Sequence, residues 1–157
     1  MIRTMSIATR AALIGTLMMS GATFAQQSDG AAGAYTKTVE GDFDDVAFSV
    51  EQAITNEGLV IDSINHVGEM LARTKGDVGG AKDLYLAADT YNFCSAIVSR
   101  QAMEADIANI QYCPYGIFVY EAAAEPGKIV VGHRMHEGEG MKPVDELLSR
   151  IVDISVE

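Results

Sequence analysis

The sequence predicts an α+β fold, a single-domain two-layer sandwich with helices packed on one mixed sheet in the approximate order βαβ(α)βαββα. Three observations predict it. Amphipathic helical stripes alternate with short branched runs, as where residues 43–54 give way to 59–64. Two apolar runs, 116–121 and 128–134, adjoin across the turn chemistry of Glu125-Pro126-Gly127. The chain left after the N-terminal segment is enough for one core and too short for two.

The elements follow in order. Residues 1–25 read as a secretory signal peptide: Arg3 and Arg10 at the start, an apolar stretch from Ala11 to Gly21, and a small-residue exit at Thr23-Phe24-Ala25. The apolar stretch is roughly ten residues against the ~20 that span a bilayer, so no stable membrane anchor is expected after signal removal. Residues 26–34 (QQSDGAAGA) have nothing to bury and are expected to be a disordered lead-in. The domain then covers 35–157. Tyr35 to Val39 alternates as a strand, and Asp42 opens a helix whose stripe is Phe43, Val46, Val50, Ala53 and Ile54, ended by Gly58. Leu59 to Ile64 suits a second strand, followed by a brief helix near 67–73 with Met70 and Leu71 inward. Residues 83–93 hold a strand, with or without a helical turn before it. Ser95 is a candidate N-cap for a helix to about Ala105. The hairpin strands follow, and a last helix starts near Pro143 with Val144, Leu147, Leu148, Ile151 and Val152 on one side.

The formal net charge is −11, and removal of residues 1–25 takes away Arg3 and Arg10 and no acidic residue. Such a field disfavours nucleic acid and anionic lipid as partners and leaves a small molecule or a partner protein. The predicted product is exported, and periplasmic in a two-membrane cell. There is no GxSxG, no phosphate-cradling glycine loop, no HExxH, no CxxCH and no paired-cysteine zinc pattern. A non-enzymatic role is therefore favoured over catalysis.

The unusual residue choices concentrate between Tyr91 and Glu121, which holds both cysteines. Cys94 precedes a predicted helix, where unpaired N–H groups would stabilise a thiolate. It reads equally as a buried small hydrophobe or as one half of a disulfide with Cys113, as an oxidising compartment would allow. That bridge requires residues 106–112 to double back, since a ten-residue helix rises about 15 Å. Asn92, Phe93, Ser95, Pro114, Tyr115, Tyr120 and Glu121 are the candidate pocket around the thiols. His133, Met135 and His136 offer nitrogen and thioether donors of the kind copper or haem iron accepts. Strand alternation, however, would point His133 and Met135 one way and His136 the other.

Three features together resemble the domain of unknown function 302 family over Tyr35 to His136. They are the helix after Gly41 closing in Asn56-Glu57-Gly58-Leu59, Cys94 ahead of a helix carrying Ala102 and Met103, and the run from Pro114 to Val119-Tyr120-Glu121. Many members resemble one another in a proline followed directly by cysteine. Here the order is Cys113-Pro114-Tyr115, which puts that family position on Tyr115. The resemblance implies a small exported bacterial α/β domain and a possible homodimer, and it lends no established reaction. Three readings of function stand at this point: a binding or accessory domain with a pocket near Cys94 and the 113–115 turn, a thiol-dependent redox or sulfur-handling protein using Cys94 with Cys113, and a structural or assembly subunit with an inert disulfide.

Overall fold

The computed structural model describes residues 33–157. The predicted signal peptide and most of the predicted lead-in lie outside the described residues. The chain runs β1 (Ala34–Glu40), α1 (Phe43–Asn56), β2 (Val60–His66), α2 (Val67–Thr74), β3 (Tyr85–Cys94), α3 (Ala96–Ala105), a 3-10 segment (Ile107–Tyr112), β4 (Tyr115–Ala122), β5 (Lys128–Arg134) and α4 (Lys142–Ser155), with a short 3-10 turn (Glu139–Met141) leading into α4. The five strands form one sheet in the order β1-β5-β4-β3-β2. It is an α+β single domain, as the sequence predicts.

The sheet is antiparallel throughout and not mixed. The reason is the first crossover. β1 and β2 run the same way, but α1 carries the chain to the opposite edge of the sheet, so three strands separate them and no parallel ladder forms. The remaining strands join sequential neighbours, which favours antiparallel pairing.

One face of the sheet supplies Tyr91, Phe93, Ile117, Val119, Ile129 and Val131 to the core, where they meet Val50 and Ile54 of α1, Ala102 of α3, and Leu148, Ile151 and Val152 of α4. α1 forms as expected. Asp42 caps it, its carboxylate accepting from Asp44 N at 2.9 Å, and Gly58 adopts φ 75° just beyond its end. Arg150 of α4 makes a two-pronged pair with Glu57 at the end of α1, each contact 3.0 Å.

α2 departs from expectation. Met70 is exposed and Leu71 only half-buried, while Gly68 is the buried residue. β2 stops pairing at His66, opposite Asp89, and α2 continues beside the first half of β3. A Cβ on Gly68 would stand 2.7 Å from Ala88 N, so the helix meets the strand backbone to backbone and its larger apolar side chains are left outside.

Strand alternation sends the other side chains to the opposite face, which no helix of the α1, α3 and α4 layer covers. Its central row is Asn65, Thr90, Phe118, Gly132 and Thr36, in register across all five strands. The next row is Ser63, Asn92 and Gly116 on β2, β3 and β4, and Arg134 and Ala34 on β5 and β1; the β4–β5 ladder ends at Ile117–His133, one residue short of Gly116 and Arg134.

Candidate functional site

Two glycines inside strands shape the open face. At Gly132 a Cβ would lie 2.5 Å from Tyr35 O, 2.7 Å from Phe118 Cζ and 2.7 Å from Thr36 Cγ2. The missing side chain lets the Phe118 ring lie across the sheet, stacked on Tyr120 at 6.1 Å between centroids. At Gly116 a Cβ would meet only Asn92 Oδ1 at 3.4 Å and Tyr91 O at 3.8 Å. That glycine is the floor of a cavity of about 420 Å³, with Asn92 and Thr90 on one side, Arg134 on the other, and Tyr112, Pro114 and His136 along one end.

The polar groups at the floor are oriented by neighbours. Asn92 Nδ2 donates to Ser63 Oγ at 3.3 Å, which turns Oδ1 toward the space above Gly116. Arg134 is exposed and has no carboxylate partner among the described residues. α4 sets the end wall: the Asp145 carboxylate accepts from His136 N at 3.1 Å and pairs with His136 Nδ1 at 2.6 Å. The His136 ring then stands edge-on to Tyr112 at 5.0 Å and to Tyr115 at 6.2 Å.

The thiols sit behind this end wall. The 3-10 segment does double back, its entry held by Asp106 accepting from Ala108 N and by Asn109 Nδ2 donating to Ala102 O at 2.8 Å. It returns Cys113 to the start of α3, with Sγ 3.7 Å from Ser99 Oγ. A cis Cys113–Pro114 bond then leads into β4. Both cysteines are unbridged, Cys94 exposed and Cys113 half-buried. Burial raises the Cys94 thiol pKa, and the neighbouring Cys113 raises it further. The depressed value expected for a thiol beside a helix start is thus absent. Cys94 lies one residue outside the N-cap position held by Ser95, whose own side chain makes no capping bond, and desolvation is the largest influence on its thiol. Tyr115 is 1 % exposed and its hydroxyl has no hydrogen-bond partner, although Ser99 and Cys113 lie nearby. Burial pushes that phenol up to about 12.

The predicted candidates therefore divide. Asn92, Pro114, Tyr115 and His136 line the cavity; Cys94 and Cys113 adjoin its end through Tyr115. Phe93 is core and Ser95 is buried at the start of α3. Tyr120 continues the aromatic row beyond the cavity, with Tyr85 edge-on at 5.6 Å. Glu121 is engaged in the hairpin, its Oε1 accepting from Gly127 N at 2.7 Å. His133 faces the core, fully buried. A carbonyl only accepts, so Nδ1 carries the proton given to Arg134 O (2.8 Å), and Nε2 accepts from Ser149 Oγ (2.9 Å). With both nitrogens engaged, Met135 exposed, and His136 paired to Asp145, the three residues do not converge on a common point. Among the described residues no group of three or more His, Cys, Asp or Glu side chains is placed to hold a metal ion. Sequence reasoning missed Gly116, Thr90 and Arg134 as parts of a site. The available signal was a glycine inside each of two adjacent strands, which marks a close approach or an open floor.

The fold and this cavity define a small single-sheet α+β domain with a helix layer on one face and a polar recess on the other. The family model for the domain of unknown function DUF302 matches residues 35–149, and the chain belongs to that family. The match runs beyond His136 into α4, which supplies Asp145 to the end wall. The chain is similar to a crystal structure of an uncharacterised conserved DUF302 protein from Bacillus stearothermophilus, at 16 % identity and a TM-score of 0.63, covering 80 % of this chain and 99 % of that one. That likeness shows the fold. No curated protein matches the chain.

Proposed function

We propose that the protein is a small exported, periplasmic binding or accessory domain that holds a small molecule over Gly116, beside the Cys113-Pro114-Tyr115 turn. The observation that carries this reading is the cavity itself: an oriented acceptor from Asn92 and a cationic donor from Arg134 face each other across a glycine floor. A recess of a few hundred Å³ with a few placed polar groups is the usual form of a small-ligand site. Export is supported by the pattern of residues 1–25. No helix among the described residues is long and apolar enough to cross a membrane.

The test is retention. The protein and a Gly116→Val variant, whose side chain would occupy the floor, are incubated with a cell-extract metabolite mixture, passed through a size filter, and analysed by mass spectrometry. The proposal expects a compound retained by the parent and lost from the variant. Equal retention by both would place binding elsewhere and end the reading.

A second reading rests on Cys113 being brought back beside Cys94, with the unpartnered Tyr115 hydroxyl next to the pair. Oxidation would join the two sulfurs and pass two electrons and two protons to a disulfide-type oxidant of the exporting compartment, reducing it to two thiols. Intact mass after alkylation in denaturant tests this. A reversible loss of two hydrogens on treatment with oxidised glutathione supports it, and two persistently free thiols oppose it.

A further inference from the structure

We infer that the cavity over Gly116 selects a planar carboxylic acid carrying an N–H or O–H donor close to its carboxylate. This rests on the binding reading above and names the class of ligand. Four features of the recess specify that class. Arg134 presents a forked, permanently charged donor, which matches a carboxylate in two parallel contacts. Its place on the open face follows from its neighbour: His133 turns into the core to meet Ser149, so Arg134 turns out. Asn92 presents its carbonyl oxygen toward the same space, 3.4 Å from the position a Gly116 Cβ would take, while its amide nitrogen is directed at Ser63 Oγ. A ligand spanning the two therefore needs an acidic group at one end and a donor beside it.

The shape of the recess adds the third and fourth features. Gly116 leaves a flat backbone floor, with Asn92 Oδ1 3.4 Å from the position a Cβ would take. Phe118, lying over Gly132, continues that floor with the face of its ring. A flat molecule stacks on such a surface where a branched one would be lifted off it. The end wall of Tyr112, Pro114 and His136 limits length in that direction. The net charge of −11 repels an anion at long range. Selection must therefore come from Arg134 at contact distance, inside the roughly 8–10 Å over which exposed charges act in ordinary salt.

The experiment is a matched-pair titration of the 15N-labelled protein with indole-2-carboxylate, whose ring N–H adjoins its carboxylate, and with indole-2-carboxamide, which lacks the charge. The amide resonances of Asn92, Gly116 and Gly132 report binding. The acid is expected to bind about tenfold more tightly than the carboxamide, the size of one charge-assisted contact, and Arg134→Gln is expected to erase that margin. Gly116→Ala, which the structure accommodates, is expected to weaken both compounds. Equal binding of acid and carboxamide, or a preference that survives Arg134→Gln, would overturn the acid inference while the binding reading stood. If neither compound moves those resonances in the folded parent protein, the acid inference falls, and the retention experiment with Gly116→Val decides the binding reading separately.

Discussion

The two strand glycines on the open face should respond very unequally to one added methyl. At Gly132 the new Cβ would stand 2.5 Å from the Tyr35 carbonyl oxygen, 2.7 Å from Phe118 Cζ and 2.7 Å from Thr36 Cγ2, all below the separations real side chains adopt. Phe118 and Thr36 can rotate away, but the Tyr35 carbonyl belongs to the β1–β5 ladder and moves only if the strands part. Overpacking of this kind costs about 1–3 kcal/mol, and a backbone contact places Gly132→Ala near the upper end, about 2–3 kcal/mol. At Gly116 the added methyl touches only Asn92 Oδ1 at 3.4 Å and Tyr91 O at 3.8 Å, and the backbone is not in the left-handed region. The entropy removed from the unfolded chain then offsets any contact, so Gly116→Ala should change stability by no more than about 0.5 kcal/mol. Urea unfolding followed by circular dichroism gives both numbers from shifts in midpoint at constant slope. For a domain of this size the Gly132 variant should also melt roughly 10 °C lower. A Gly132→Ala protein as stable as the parent, or a Gly116→Ala protein as damaged as Gly132→Ala, would refute the placement of the two residues.

Two further predictions concern titration and reactivity. Burial holds the His133 pKa below its usual 6.5, with the Arg134 carbonyl and Asp145 opposing that shift and His136 adding to it. The unfolded chain therefore binds the proton first, and stability should fall as pH drops below about 6.5. His66 is raised by its bond to Asp89 and runs the opposite way, its contribution present in acid and lost as pH rises. Urea midpoints between pH 7 and pH 5 should thus decline in the parent and decline less in His133→Gln; an unchanged slope in that variant would contradict the buried neutral imidazole. Cys94 is exposed yet its thiol pKa is raised, so iodoacetamide at neutral pH should modify it more slowly than free cysteine. Faster modification would mean that the helix start, and not burial and Cys113, governs the thiol.

Two helices of the layer, α1 and α4, were legible in the sequence because each buries a continuous stripe, whereas in α3 only Ala102 is buried and Ile97 is exposed. The α1 residues Val46, Val50, Ala53 and Ile54, and the α4 residues Val144, Leu147, Leu148, Ile151 and Val152, are buried as their three- and four-residue spacings predict. The β4–β5 hairpin was legible from its turn residues, with Gly127 at φ 79°. α2 was not, because its buried contact is a glycine against backbone, and an apolar stripe carries no sign of that. The candidate site was half legible. Asn92, Pro114 and Tyr115 stood out locally, but Arg134 joins them only through the β3-β4-β5 register, and Gly116 contributes by what it lacks. The histidine segment misled for a related reason: spacing shows His133 and His136 as donors, whereas the fold assigns the first to Ser149 and the second to Asp145.

Under the proposed function, the recess over Gly116 is where this domain takes its ligand. Crystals soaked with a diverse library of small planar fragments test it most directly. Bound fragments are expected to gather between Asn92 and Arg134, with acids contacting the guanidinium. Fragments that collect at other surfaces while that recess takes none would contradict it.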